Sequence, residues 1–196
     1  QTIELMNELF PIFLKAHQLN ILLIGGGEVA HEKLYFLLKS SPNARVQIIA
    51  ERVNNAVLEI FENHEMVDLE IRTFEWEDLD GKHLVIAATN DPQFNDELRA
   101  YANENGVLLN IADKSSLCDF YLGGIVTRGD LKLAISTNGT SPILAKRFRQ
   151  FFEQEIPEEF ERVLESTSEL RKKLNGSFKT KLKELNQLTK TLIQND

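Results

Sequence analysis

The ten residues Ile21–Ala30, ILLIGGGEVA, constrain the fold more than any other part of the chain. An apolar run stops at three glycines, and helical spacing follows from Ala30 to about Lys39. The order is strand, tight turn, helix. Gly25, Gly27 and Ala30 fit the spacing G-x-G-x-x-G/A, in which each residue type has a physical task. Gly25 permits the turn. Gly27 has no Cβ, so a pyrophosphate can approach the backbone. Ala30 is small enough for the helix to pack tightly on the strand. The free N–H groups and the positive dipole end of that helix then face the phosphates. The spacing alone is a weak signal, and a glycine-rich turn with no ligand is its alternative. The strand before it and the helix after it favour the dinucleotide.

The rest of the first half repeats the alternation. Arg45–Ala50 reads as a second strand, and Val53–Glu62 carries a helical stripe of Val53, Val57, Ile60 and Phe61. Asp68–Phe74 alternates like a strand with one wet face. Leu84–Thr89 is continuously apolar, as a strand buried on both faces is. Pro92 opens a helix that runs to about Glu104, with Gly106 past its end, and Val107–Ala112 is the next strand. This is an α/β pattern, a Rossmann-type parallel sheet with helices on both faces.

Near residue 114 the pattern changes. Phe120–Val126 and Leu131–Ser136 predict a hairpin joined by Thr127-Arg128-Gly129-Asp130, with Gly129 where a turn wants it. The Arg-Gly-Asp triplet reads as turn chemistry. Ser141 can cap a helix that starts at Pro142 and continues to about Glu155, and Pro157 breaks it. Glu158–Leu174 and Ser177–Ile193 read as two further helices with solvated, charged faces.

The net charge of −8 and pI of about 5.1 argue against nucleic acid or an anionic membrane as main partner, since both need a broad basic surface. Cys118 is the single cysteine, so no internal disulfide can form, and a reducing compartment is expected. No apolar run approaches the ~20 residues of a membrane span. A soluble, cytoplasmic protein is expected, with Gln1 lying partway into the natural chain.

In such a sheet ligands sit at the carboxyl ends of the strands. Gly25–Val29, Glu51-Arg52, Thr89-Asn90-Asp91 and Asn110–Asp113 all reach that edge. Glu51 lies 24 residues past Gly27, near the ~20 expected for the acid that binds the adenosine ribose. That favours NAD over NADP, whose 2′-phosphate a carboxylate repels. Arg52 pulls the other way, and both residues being plain surface charges is the alternative. Asp113 is the candidate catalytic residue, able to take a proton when a neighbouring carbon loses hydride. A cap for the turn Lys114–Leu117 is its equal alternative. His17, His31, His64 and His83 show no metal-ligand spacing, and Cys118 reads as a small buried thiol.

Lys146, Arg147 and Arg149, with Arg128 and Lys132 before them, form the most basic stretch of this acidic chain. Ser136, Thr137, Asn138, Thr140 and Ser141 add hydroxyl and amide groups near the helix start. Together they suit a ligand with several carboxylates; a solvated helix face with an ordinary cap is the alternative.

Leu9-Phe10-Pro11-Ile12-Phe13-Leu14, GGGEVA, LVIAATND at 84–91, NIAD at 110–113 and AISTNGTSPILAKRFR at 134–149, in this order and spacing, resemble the siroheme synthase amino-terminal module, precorrin-2 dehydrogenase / sirohydrochlorin ferrochelatase. The resemblance covers roughly residues 9–155. It implies an NAD-dependent oxidation of precorrin-2 to sirohydrochlorin, in many members followed by insertion of ferrous iron as second substrate. It implies a homodimer of three parts: an NAD-binding Rossmann domain (1–113), a dimerisation region of hairpin plus helix (114–156) and a C-terminal helical domain (157–196). By this resemblance cofactor contacts fall on Glu28, Val29, Glu51 and Arg52, beside Gly25, Gly27, Thr89 and Asn90. Asp113 matches the family's catalytic aspartate. A serine phosphorylated in some relatives is Thr137 here. Precorrin-2 carries eight carboxylates, so Asn110, Ser136, Thr137, Asn138, Ser141, Lys146 and Arg147 become the candidate substrate contacts. A dehydrogenase without chelatase activity, an NAD-sensing module without chemistry, and a dehydrogenase for another small substrate are the rival readings.

Overall fold

The computed structural model describes residues 7–158, together with Glu169 and Lys172. The two helices expected after Glu158 lie outside the described residues. In chain order the elements are β1 (Asn20–Ile24), α1 (Glu28–Ser40), β2 (Arg45–Ala50), α2 (Asn55–Asn63), β3 (Val67–Ile71), β4 (Leu84–Ala87), α3 (Pro92–Asn105), β5 (Leu108–Ile111), β6 (Gly124–Arg128), β7 (Leu131–Ile135) and α4 (Pro142–Glu155). Short 3-10 turns lie at Ala16–Gln18, Trp76–Leu79 and Ser115–Leu117.

The first five strands form one parallel sheet in the order β3-β2-β1-β4-β5. Alternation along each strand divides the apolar side chains between two faces. Ile21, Leu23, Val46, Ile48, Leu84 and Ile86 pack with Leu34 and Leu38 of α1 and Val57 of α2. Leu22, Ile24, Ile49, Val85 and Ala87 pack with Leu98 and Ala102 of α3 on the other side. Both faces are therefore covered, which is why β1 and β4 read as unbroken apolar runs. Each of the fully buried Ile and Leu side chains contributes about 1.5–3 kcal/mol.

The order reverses at β1: β2 lies on one side of it and β4 on the other. The crevice at the carboxyl ends of β1 and β4 is the topological switch point, where such sheets bind ligands.

Local signals place several boundaries where the sequence puts them. β2 matches its prediction residue for residue. α3 starts at Pro92 after the Asp91 cap and ends at Gly106, whose φ of 67° accepts the left-handed cap. Others move. Helix α1 begins at Glu28, two residues before the expected start, so Glu28 and Val29 belong to its first turn. β4 stops at Ala87, leaving Thr89 in the loop. β3 ends at Ile71, where Arg72 turns aside to pair with Asp78.

The first hairpin strand begins at Gly124 rather than Phe120. Phe120 and Leu122 pack instead against the core on the α1 side. The four-residue joint shrinks to two residues, because Arg128 already pairs with Leu131. Gly129, at φ 54°, supplies the positive angle of a two-residue hairpin turn. Gly124 of β6 lies against α4, where a Cβ would stand 3.2 Å from the Ala145 carbonyl oxygen.

Candidate functional site

The three glycines do three different things. Gly25 has φ 115°, and a Cβ on it would stand 2.6 Å from the Ala88 carbonyl oxygen, so β1 and the end of β4 meet here. Gly26 is pressed on the next crossover: a Cβ would lie 2.3 Å from the Arg52 carbonyl oxygen and 2.5 Å from Val53 Cγ1. Nothing in the protein lies within 4 Å of a Cβ on Gly27. Its surroundings are open, and its φ of −89° suits any residue. The middle glycine, given no task from sequence, is thus required by the chain's own packing, as Gly25 is.

Gly27 is also the N-cap of α1, and no side chain closes that helix start. The other three long helices among the described residues are closed: Asn54 accepts from Val57 N–H, Asp91 from Phe94 N–H and Ser141 from Leu144 N–H. The first N–H groups of α1 therefore remain available to an anion at the crevice.

The structure brings the β2 end onto this turn. Asn54 N–H donates to the Gly26 carbonyl at 2.8 Å, and Asn54 Nδ2 donates to Glu28 Oε1 at 2.9 Å. Glu51 and Arg52 stand exposed directly before this joint. Glu51 Oε1 accepts a long bond of 3.4 Å from Thr73 Oγ1. Asn54 was not singled out from sequence, though an Asn one residue before a helix is a recognisable cap.

Thr89 Oγ1 donates to Asn95 Oδ1 at 2.6 Å, and Asn95 is buried within α3. That residue was missed. Its signal was a polar side chain on the apolar stripe shared with Leu98 and Ala102. Asn90 is exposed beside Thr89.

One strand further out, Ala112 N–H donates to the Ala87 carbonyl at 2.9 Å, which sets the turn carrying Asp113 beside the end of β4. Asp113 is exposed with φ 60°, a left-handed angle uncommon outside glycine. It does not cap the following turn: the cap position is Lys114, and no side-chain cap bond forms there. Asn110, expected near the substrate, is buried and donates to the Phe120 carbonyl at 2.8 Å. Burial pushes the half-buried Cys118 thiol up.

The basic stretch separates into two kinds of residue. Arg128 donates to the carbonyls of Glu153 and Ile156, closing the end of α4. Lys132 donates to the Ser40 carbonyl and, at 3.1 Å, to its hydroxyl, closing the end of α1. Arg149 pairs with Glu153 and lies 5.8 Å over the Phe36 ring. These three are structural. Lys146 and Arg147 face solvent, Arg147 donating to Gln150 at 3.2 Å.

The hydroxyls ahead of α4 are also engaged. Thr137 Oγ1 donates to the Ser141 carbonyl at 3.0 Å and accepts from Ser141 N–H at 3.2 Å. Ser136 Oγ accepts from Asn138 N–H at 3.1 Å. Asn138 is exposed at φ 53°.

Among the described residues no group of three or more His, Cys, Asp or Glu is placed to hold a metal, and no helix is long and apolar enough to cross a membrane.

A glycine turn at a switch point, an uncapped helix start and an acid after β2 define a nucleotide-binding sheet. The family described as putative NAD(P)-binding matches residues 12–124, and the chain belongs to it. Residues 128–155 match the family described as sirohaem biosynthesis protein central. The chain is 35% identical over 168 residues to the siroheme synthase of Methylococcus capsulatus, covering 86% of this chain and 35% of that protein. It is 36% identical over 172 residues to siroheme synthase 1 of Klebsiella pneumoniae, covering 87% and 36%. The chain thus spans about a third of the length of these relatives. The structure of SirC, precorrin-2 dehydrogenase, shares the fold, with a TM-score of 0.75 at 23% identity over 92% of this chain and 89% of that one.

Proposed function

We propose that this chain oxidises precorrin-2 to sirohydrochlorin with NAD as oxidant. The observation that carries the reading is the Asp113 turn: an exposed, uncapped carboxylate at a strand end, two strands from the glycine turn. The names borne by the relatives support it, and so does their similarity across both the sheet and the hairpin–α4 part.

The residues fit the cofactor. The N–H groups of Glu28 and Val29 and the open space over Gly27 would take the pyrophosphate, and Glu51 the adenosine ribose. Glu51 favours NAD, with Arg52 exposed beside it. Thr89 and Asn90 border the far side of the crevice. Bound NAD supplies the hydride acceptor. Asp113 takes the proton lost from the tetrapyrrole, a role open to an exposed carboxylate at the strand ends.

Lys146, Arg147 and Asn138 are the groups free to meet substrate carboxylates. Asn110, Ser136, Thr137 and Ser141 act by shaping the backbone around them. Where ferrous iron is a further substrate, pyrrole nitrogens must lose protons, and Asp113 is again the acceptor. Residues 1–113 serve as the NAD-binding part and residues 114–156 as the dimerisation part. α4 leaves Ile143, Leu144, Phe148 and Phe151 exposed, Ile143 by 75%, which supports a homodimer through this region. The cytoplasm, which supplies NAD, is the setting this reading requires.

The test is anaerobic incubation with precorrin-2 and NAD, following NADH and the tetrapyrrole spectrum, then adding ferrous iron. NADH formation is expected, and Asp113→Asn should lower turnover by about 10²–10⁴-fold with NAD affinity unchanged. Unchanged turnover in that variant removes Asp113 from the mechanism. NAD binding without NADH formation overturns the dehydrogenase reading. Iron insertion no faster than without protein limits the activity to oxidation.

A further inference from the structure

The chain leaves β5 at Ala112 and is back against the same strand at Asp119. Three sets of bonds close the neck of this loop. Asp119 N–H donates to the Leu109 carbonyl at 2.8 Å, and Asp119 Oδ2 accepts from Leu109 N–H at 2.9 Å. The same carboxylate oxygen accepts from Arg99 Nη1 of α3 at 2.8 Å, and that nitrogen also reaches the Leu117 carbonyl at 3.2 Å. Ile111 N–H donates to Cys118 Sγ at 3.2 Å, with the Ile111 and Lys114 carbonyls 3.2 and 3.3 Å from the sulfur.

Asp113 stands within this closed loop, exposed and left-handed. A non-glycine residue keeps such an angle when its surroundings over-determine it. Its own carboxylate plays no part in closing the loop, so its position is imposed from the neck. Among the described residues Arg99 is the one side chain of another element bonded into that neck, and it is only 15% exposed.

We infer that Arg99 and Asp119 are positioning residues for Asp113: their ion pair ties the loop to α3 and so sets where the Asp113 carboxylate stands at the strand ends. This rests on Asp113 being the proton acceptor proposed above. The glycine turn is built from Ala88, Arg52, Val53 and Asn54 and uses no residue of this loop. Breaking the pair should therefore affect turnover and spare the cofactor.

The experiment is a double-mutant cycle in the full chain, with NAD binding measured by titration and folding by circular dichroism. Asp119→Ala should lower kcat about tenfold or more with NAD affinity within about twofold of the parent. Asp119→Asn keeps an acceptor for Leu109 N–H but loses the charge facing Arg99, and should fall between the two. In an Asp113→Asn background, Asp119→Ala should cost less than about twofold further, because a positioning residue has nothing left to position. Equal losses in both backgrounds overturn the inference, as does full turnover in Asp119→Ala while Asp113→Asn is impaired. Full turnover in Asp113→Asn removes the underlying reading and this inference with it. If Asp119→Ala does not fold, the same cycle run with Asp119→Asn decides the question.

Discussion

Helices α1 and α4 both follow short loops of small residues, yet their first turns are built in opposite ways. At α4 the chain satisfies itself. Ser141 accepts from Leu144 N–H at 3.3 Å, Pro142 removes one donor, and the Thr137 hydroxyl bonds the Ser141 backbone on both sides. At α1 the cap is Gly27, with no side chain to accept anything. A glycine cap gives up roughly a few tenths of a kcal/mol against serine, a deficit that a phosphate bound there would offset. The difference separates a helix start closed by its own side chains from one left open at the switch point, although both follow glycine-containing stretches of sequence.

Substitutions can break or sharpen this contrast. The largest effect is expected from Gly25→Ala. It forces a Cβ onto φ 115° and against the Ala88 carbonyl, costing about 2–4 kcal/mol and abolishing NAD binding, as thermal melts with and without NAD would record. Gly27→Ser gives the sharpest contrast. The space is open and serine is a better cap, so Tm should hold or rise slightly while NAD affinity drops at least about tenfold. Unchanged affinity would mean that no phosphate approaches there. Ser141→Ala should do the reverse: a loss of about 1 kcal/mol, a Tm lower by about 2–4 °C, and NAD affinity unaltered.

The smallest effect belongs to a pair outside both helix starts. Arg72 donates two bonds to Asp78, at 2.8 and 2.6 Å, and holds its carboxyl below the usual range. A depressed carboxylate stabilises above its unfolded pKa of about 3.9 and loses that contribution as pH falls through the lower folded value. Asp78→Asn should cost at most about 1 kcal/mol at pH 7, a difference that shrinks in melts taken below about pH 4. NAD affinity should not follow it.

Expectation and structure part company at identifiable residues. Pro92 and Gly106 bracket α3 through their own backbone chemistry, so they act wherever the helix ends up. Phe120 and Leu122 look like strand residues beside Val126, but Asn110 and the α1-side core claim that segment first. The basic stretch looked like one patch. Arg128 and Lys132 instead serve carbonyls at the ends of two helices, a use of charge invisible without knowing which helix ends lie nearby. Asp113 was legible as a strand-end carboxylate, but its freedom from the following turn was not.

The sequence by itself determined the alternation of strand and helix, the apolar division of the sheet and the glycine turn. These depend on periodicity and on residues whose backbone limits are their own. Only the tertiary structure decided which glycine is pressed against Arg52, that Asn95 holds Thr89, and that Arg99 reaches across from α3 to the neck of the Asp113 loop. Each of those depends on a neighbour brought near by the sheet order, and pairings of that kind leave no period in the chain.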